Sequence, residues 1–266
     1  MPRICSLPST YITIFFVFVL TNSLAQNFAI GVKAGPSINL GHFRDSDLRD
    51  IYNNQINIGF TGGGFISFPL KNNYSFISEF GFSRKGKKLQ FNNNEWTNTA
   101  VFNFIDLSMA LRKSYNFQLR PDIQSNLFFN IGPNIEYWIS GKGKMGAGGE
   151  PTHYDIAFNQ VPDANFNINY YNNINRWLFG IDFGFGMDAP ITPTQKLLIE
   201  LRFTFGQTNL GKENSTSTIE ILGFQDDLKM NIKTLSVTAG YSFGFDLKKS
   251  KMGKSTKDKI IKRKKR

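Results

Sequence analysis

Two histidines and a few carboxylates sit where acid–base chemistry would need them. His42 lies near Asp45 and Asp47, and His153 lies near Asp155. An aspartate beside an imidazole can orient it as a general base, but catalysis also needs a positioned nucleophile or activated water. No third member accompanies either pair, so both read as solvated loop residues and no catalytic residue is assigned. The single cysteine, Cys5, and the spread of the two histidines give no metal-ligand spacing. The Gly62-Gly63-Gly64 run falls within a strand pattern, where glycine relieves crowding. The glycine-rich stretch from Gly146 to Gly149 lacks the Lys-Ser/Thr and helix of a phosphate loop. No metal and no cofactor is expected.

A second set of charges has a more regular setting. Lys33, Glu79, Asp106, Arg112, Glu136, Asp182, Glu200 and Arg202 each stand alone on the polar side of an alternating segment. In a water-filled pore such residues would form a selectivity ring. In a narrow, closed interior they would pair with one another.

The elements that must carry these residues are strands, because the dominant pattern has period two. Leu235, Val237, Ala239, Tyr241, Phe243, Phe245 and Leu247 alternate with Thr234, Ser236, Thr238, Gly240, Ser242, Gly244 and Asp246. The same alternation runs through Leu197–Gly206, Phe179–Asp188, Phe129–Tyr137 and Ile105–Arg112, and earlier over about 28–41, 56–70 and 74–88. Eight segments of this length match the ~9–11 tilted residues that cross a bilayer. Connections alternate between short and long, with polar loops expected over 41–55, 90–100, 142–175 and 211–230. The expected fold is all-β, an eight-stranded antiparallel up-and-down transmembrane β-barrel with a narrow, plugged interior.

A soluble barrel shares the alternation but wears Lys and Glu outside. Here the polar face is mostly Gly, Ser, Thr and Asn with isolated charges, which suits a lumen, while the apolar face is rich in Phe. Tyr115, Tyr137, Trp177 and Tyr241 fall near strand ends, as girdle aromatics do.

Residues 1–25 read as a signal peptide: Arg3, an apolar run from Tyr11 to Leu20, then small residues around Ala25. Residues 26–247 form the barrel. Residues 248–266 carry 11 Lys/Arg and one acid, Asp258; without this tail and Arg3, 19 basic and 19 acidic residues remain. The net charge of +11 is therefore a property of the tail, expected to be a periplasmic appendage and not a nucleic-acid site.

Several short motifs, in order, resemble one family. Gly31-Val32-Lys33-Ala34-Gly35, Phe104-Ile105-Asp106-Leu107, Ile131-Gly132-Pro133, Gly206-Gln207-Thr208-Asn209-Leu210 and Ala239-Gly240-Tyr241-Ser242-Phe243 resemble strands of the PorT-like outer-membrane barrel proteins of the Bacteroidetes. Ser108 stands where the family often has proline, and the basic tail is longer than the family's pattern. The resemblance covers the barrel and implies an outer-membrane location and a part in assembling or operating a protein-secretion system. Thr238, Gly240, Phe243 and Phe245 resemble a terminal-strand signal through which the barrel-insertion machinery captures an edge by strand addition. The expected function is a non-enzymatic barrel partnered by outer-membrane lipid, insertion machinery and secretion-system subunits. The alternative is a loop-based surface-recognition barrel. Both termini are expected in the periplasm and four long loops outside.

Overall fold

The computed structural model describes residues 27–43, 52–91, 96–120, 123–146, 150–158, 168–217 and 228–246. The expected signal peptide and basic tail, Asp45, Asp47, Leu247 and the stretch from Ala147 to Gly149 lie outside the described residues.

The described strands are, in order, β1 (Asn27–Phe43), β2 (Tyr52–Gln55), β3 (Asn57–Pro69), β4 (Tyr74–Phe91), β5 (Thr97–Arg120), β6 (Ile123–Gly146), β7 (Thr152–Phe158), β8 (Ile168–Ile174), β9 (Trp177–Thr192), β10 (Gln195–Gly206), β11 (Gly211–Ser217) and β12 (Met230–Asp246). Eight of them close into a ring: β1, β3, β4, β5, β6, β9, β10 and β12. Each ring strand is antiparallel to both neighbours, and β12 returns to pair with β1 from Asn27↔Asp246 to Phe43↔Met230. Closure leaves no free edge in the ring, as a sheet in lipid requires.

Register places the period-two faces. Val32, Ile58 and Phe80 are 63%, 79% and 62% exposed, and Phe129, Ile131, Phe179, Phe183, Leu197 and Ile199 also point outward. Glu200 is fully buried, and Glu79, Glu136, Asp182 and Arg112 face the interior with it. An apolar outside around a charged inside inverts the soluble arrangement and makes this a transmembrane β-barrel.

The short end is closed by tight turns. Asn72 and Asn73 adopt φ of 59° and 61°, and the Tyr74 amide donates to the Lys71 carbonyl at 3.2 Å. Positive φ at both central residues defines a type I′ turn, whose twist matches the strands it joins and which asparagine tolerates.

The other end is taller than expected. The predicted 90–100 loop is mostly strand, because β4 runs to Phe91 and β5 starts at Thr97. At the turn end, β5 likewise runs on to Arg120 and β6 starts at Ile123. The long 142–175 connection holds the end of β6 together with β7 and β8. The 211–230 connection holds β11, and β2 precedes β3. β7 pairs with β6, β8 runs parallel to β7, β11 pairs with β8, and β2 pairs with β4. Polar composition predicted loops here, but backbone pairing with a neighbouring strand overrides a weak β propensity. His42 and His153 consequently lie on β1 and β7, not in loops.

Candidate functional site

The interior is layered. At mid-height, Arg202 is the hub. Its guanidinium binds Glu79 through two nitrogens at 2.6 and 2.8 Å, reaches Glu200 at 2.7 Å and Asp182 at 3.4 Å. The planar fork matches a carboxylate bidentately, which an ammonium cannot do. Lys33 supplies the second cation, 2.7 Å from Glu79 and 2.8 Å from Glu200. Asp182 also accepts from Ser108 at 2.9 Å, Thr204 at 2.7 Å and Asn134 at 3.3 Å.

Asp106 and Glu136 are direct cross-strand partners. Lys85 pairs with Glu136, and Ser83 donates to Asp106 at 3.0 Å. Both groups border one polar cavity of about 60 Å³, lined by Lys33, Glu79, Lys85, Asp106, Glu136, Asp182 and Arg202 among others. That is room for a few water molecules and not for a passage. Arg112 is set apart. It stacks on Phe128 at 3.8 Å and donates to Asn130, whose amide donates in turn to Glu200.

Space for these long side chains comes from small neighbours on the adjoining strands. Lys33 is flanked by Gly63 and Gly240, Arg202 by Gly184 and Ser236, and Glu200 by Gly186 and Thr238. A Cβ on Gly63 would lie 2.6 Å from the Gly81 Cα, and one on Gly240 would lie 2.8 Å from the Lys33 Cβ. Eight strands enclose only enough width for side chains, so large residues must alternate with absent ones around the ring.

Toward the tall end, the lumen turns apolar. Phe43, Leu89, Phe102, Phe104, Trp138, Tyr154, Tyr171, Leu210 and Met230 form one buried cluster, with Trp138 4.7 Å from Phe102 and 5.9 Å from Tyr171. A smaller apolar layer of Phe65, Ile77, Phe128 and Leu198 lies toward the turns. Aromatics crowd the outer face as expected, with Phe80, Phe129, Phe179 and Phe183 exposed, but at the tall end others fill the inside, where the extra strands bury their inner faces. A register shift at Ile139 assists. Trp138 keeps the inward parity of Asn134 and Glu136, but Asn103 pairs with Ser140 while Phe104 pairs with Trp138, so the extra residue turns Gly141 and Met145 inward above it, as bulges do. Arg176 holds this point, donating to the Trp138 carbonyl at 2.9 and 3.0 Å and packing over Tyr137 and Phe158.

Lys85 and Lys87 are buried lumen cations that sequence reasoning missed. Their signal was present, since inward Glu79, Gly81 and Ser83 continue with the same parity to both lysines. The terminal-strand residues divide between faces: Thr238 and Gly240 point inward, whereas Phe243 and Phe245 point outward with rings 4.9 Å apart. His153 and Asp155 are exposed on β7, and Asp155 lies 3.5 Å from Lys142. Among the described residues, no group of three or more His, Cys, Asp or Glu could hold a metal ion.

A family model described as an outer membrane protein beta-barrel domain matches residues 24–211. Among solved structures, the outer membrane protein OprG from Pseudomonas aeruginosa is similar at 8% identity, covering 83% of this chain and 96% of its own, with a TM-score of 0.49. Neisserial surface protein A is similar at 11% identity over 82% and 97%, with a TM-score of 0.40. Ail, the attachment invasion locus protein of Yersinia pestis, solved with the heparin analogue sucrose octasulfate, is similar at 12% identity over 83% and 99%, with a TM-score of 0.36. No curated protein matches the chain.

Proposed function

The chain belongs to the outer membrane protein beta-barrel domain family, and we propose that it is a non-enzymatic, non-conducting scaffold that works through its rim and wall. The observation that carries this reading is the blocked mid-section of the lumen: an ion-paired layer between two apolar layers encloses a polar cavity of about 60 Å³, while the larger space of about 730 Å³, bordered by Arg112, Asp188 and Ser242, lies at the turn end. A transport pore would need a continuous wet path through those layers. The tall end offers the working surface, since β7, β8 and β11 extend the sheet beyond the ring.

The first and last ring residues, Asn27 and Asp246, meet at the turn end. An exported chain starts in the periplasm, which supports turns and both termini inside and the tall end outside. The PorT-like motifs support a role in assembling or operating a protein-secretion system, with its subunits as partners. The extended rim equally suits surface recognition, the second reading. Thr238, Gly240, Phe243 and Phe245 serve, in this reading, as the edge that the insertion machinery captures.

Two measurements test it. The full-length barrel reconstituted in planar bilayers should show no ohmic conductance, and stable open channels would overturn the scaffold reading. Crosslinking in intact outer membranes should recover secretion-machinery subunits. Recovery of glycans alone would favour recognition.

A further inference from the structure

We infer that the vestibule at the turn end of the barrel binds a small organic monoanion, a carboxylate on an apolar body, with Arg112 as its anchor. The vestibule has a volume of about 730 Å³ and is bordered by the turn residues Asn72 and Thr194. That size falls within the roughly 300–1,000 Å³ of small-molecule sites. Its inner end is the apolar layer of Phe65, Ile77, Phe128 and Leu198, of which Phe65 and Leu198 line the space directly. Arg112 enters from β5 at that level, with Ser75 beside it on β4 and Asn130 on β6.

Arg112 is only 7% exposed, yet little of its bonding capacity is used. Its Nε donates to the Asn130 Oδ1 at 2.9 Å, and its guanidinium carbon lies 3.8 Å over the Phe128 ring. Among the described residues, nothing accepts from Nη1 or Nη2 and no carboxylate pairs with the group, which borders the vestibule. The nearby acids are already engaged. Glu200 receives Lys33, Arg202 and the Asn130 amide, so Arg112 reaches it only through Asn130. Asp188 accepts from Asn126 at 2.8 Å and from Lys196 at 3.3 Å. A buried cation without a counter-charge is costly, and Lys33, Lys85 and Arg202 each have a carboxylate partner instead.

The chemistry of the space selects the ligand class. The planar fork of a guanidinium matches the two oxygens of a carboxylate. One unmatched cation calls for one negative charge, and a dianion would also face the Asp188 carboxylate in the same space. Phe65 and Leu198 offer the body of the molecule an apolar surface beside its head, while Ser75, Ser114 and Ser242 are small enough to leave the space open. The mid-height cavity of about 60 Å³ is too small for such a molecule. The site goes beyond the scaffold reading and does not depend on it, because it lies on the turn side of the ion-paired layer and leaves that layer closed.

The test titrates 3-phenylpropionate into the full-length protein in phosphatidylcholine nanodiscs, with binding read by calorimetry against empty nanodiscs. Binding should saturate at one site per barrel. Neutral 3-phenylpropanol should bind the wild type at least about tenfold more weakly, and R112Q should lose a similar factor for the carboxylate, as expected when a charge-assisted hydrogen bond is removed. S114L keeps the guanidinium but narrows its approach from the turns, so it should weaken binding whether or not R112Q folds. K113Q, on the outer face where Lys113 lies over the Tyr74 ring, should bind like the wild type, and equimolar inorganic phosphate should not displace the carboxylate. The inference is overturned by no saturable binding to the wild type, by equal binding of the alcohol, by unchanged affinity in R112Q or S114L, or by displacement with phosphate. None of these readouts involves conductance or secretion partners, so their failure would leave the scaffold reading standing.

Discussion

Arg202 is the residue on which the interior depends. It joins carboxylates from β4, β9 and β10, so one side chain ties three strands across the lumen. Each of these charges has lost its water, and that loss is offset only while every partner is present. Arg202→Met should therefore destabilise the barrel by about 3–5 kcal/mol, measured as a lower urea midpoint for loss of the compact, heat-modifiable form. Arg202→Lys should recover only part, since a point charge cannot bind Glu79 bidentately. An unchanged midpoint for Arg202→Met would show that the network does not hold the ring together. On the other face, Phe183→Arg places a cation in lipid and should lower folding stability by roughly 2–4 kcal/mol near the midplane. Ser242→Ala, which faces the lumen, should be nearly silent. Normal insertion of the arginine variant would mean that the faces are inverted. The eight isolated charges were legible from parity alone, whereas their partners were not, because Glu79 and Arg202 are 123 residues apart.

At the scale of the element, β12 is the strand that closes the ring. It pairs with β1 on one side and β10 on the other, so its edges are free only before closure. Phe245 stacks on Phe28 at 5.0 Å, across the seam. If an insertion factor captures this strand by edge pairing and its terminal aromatics, F243S/F245S should reduce the folded barrel in outer membranes severalfold. L235S/V237S removes two outward apolar residues from the other end of the same strand and should reduce it less. Equal losses would assign Phe243 and Phe245 only to lipid contact. β6 shows where reading an element from sequence stops. Its alternation is clear from Phe129 to Tyr137, but the extra residue at Ile139 reverses parity. Nothing local marks that bulge, since Arg176, which secures it, comes from the connection before β9.

At the scale of the whole molecule, closure and filling are one event. Each ring strand contributes a polar inner row, and eight rows meet at a width that glycine must open for Lys33 and Arg202. The zero-conductance expectation follows from that width and not from any single residue. Loss of one plug side chain, such as Phe104, should leave the barrel closed, because Phe102 and Trp138 remain packed at the same level. The tall end gives the molecule its asymmetry. An apolar inner cluster there supports β7, β8 and β11, so the rim is an ordered sheet on which a partner can act.

The eight spans and their inside and outside faces were legible in the residues alone, because period two is a local property. The same residues also carried the location, since a Phe-rich face opposite small residues suits lipid. Which charges meet, where the lumen becomes apolar, and that the polar connections form strands emerged only on folding. Those outcomes depend on register between strands far apart in the chain. A one-residue bulge at Ile139 or the pairing of β7 with β6 changes which side chains face inward, and neither leaves a periodic mark in the residues themselves.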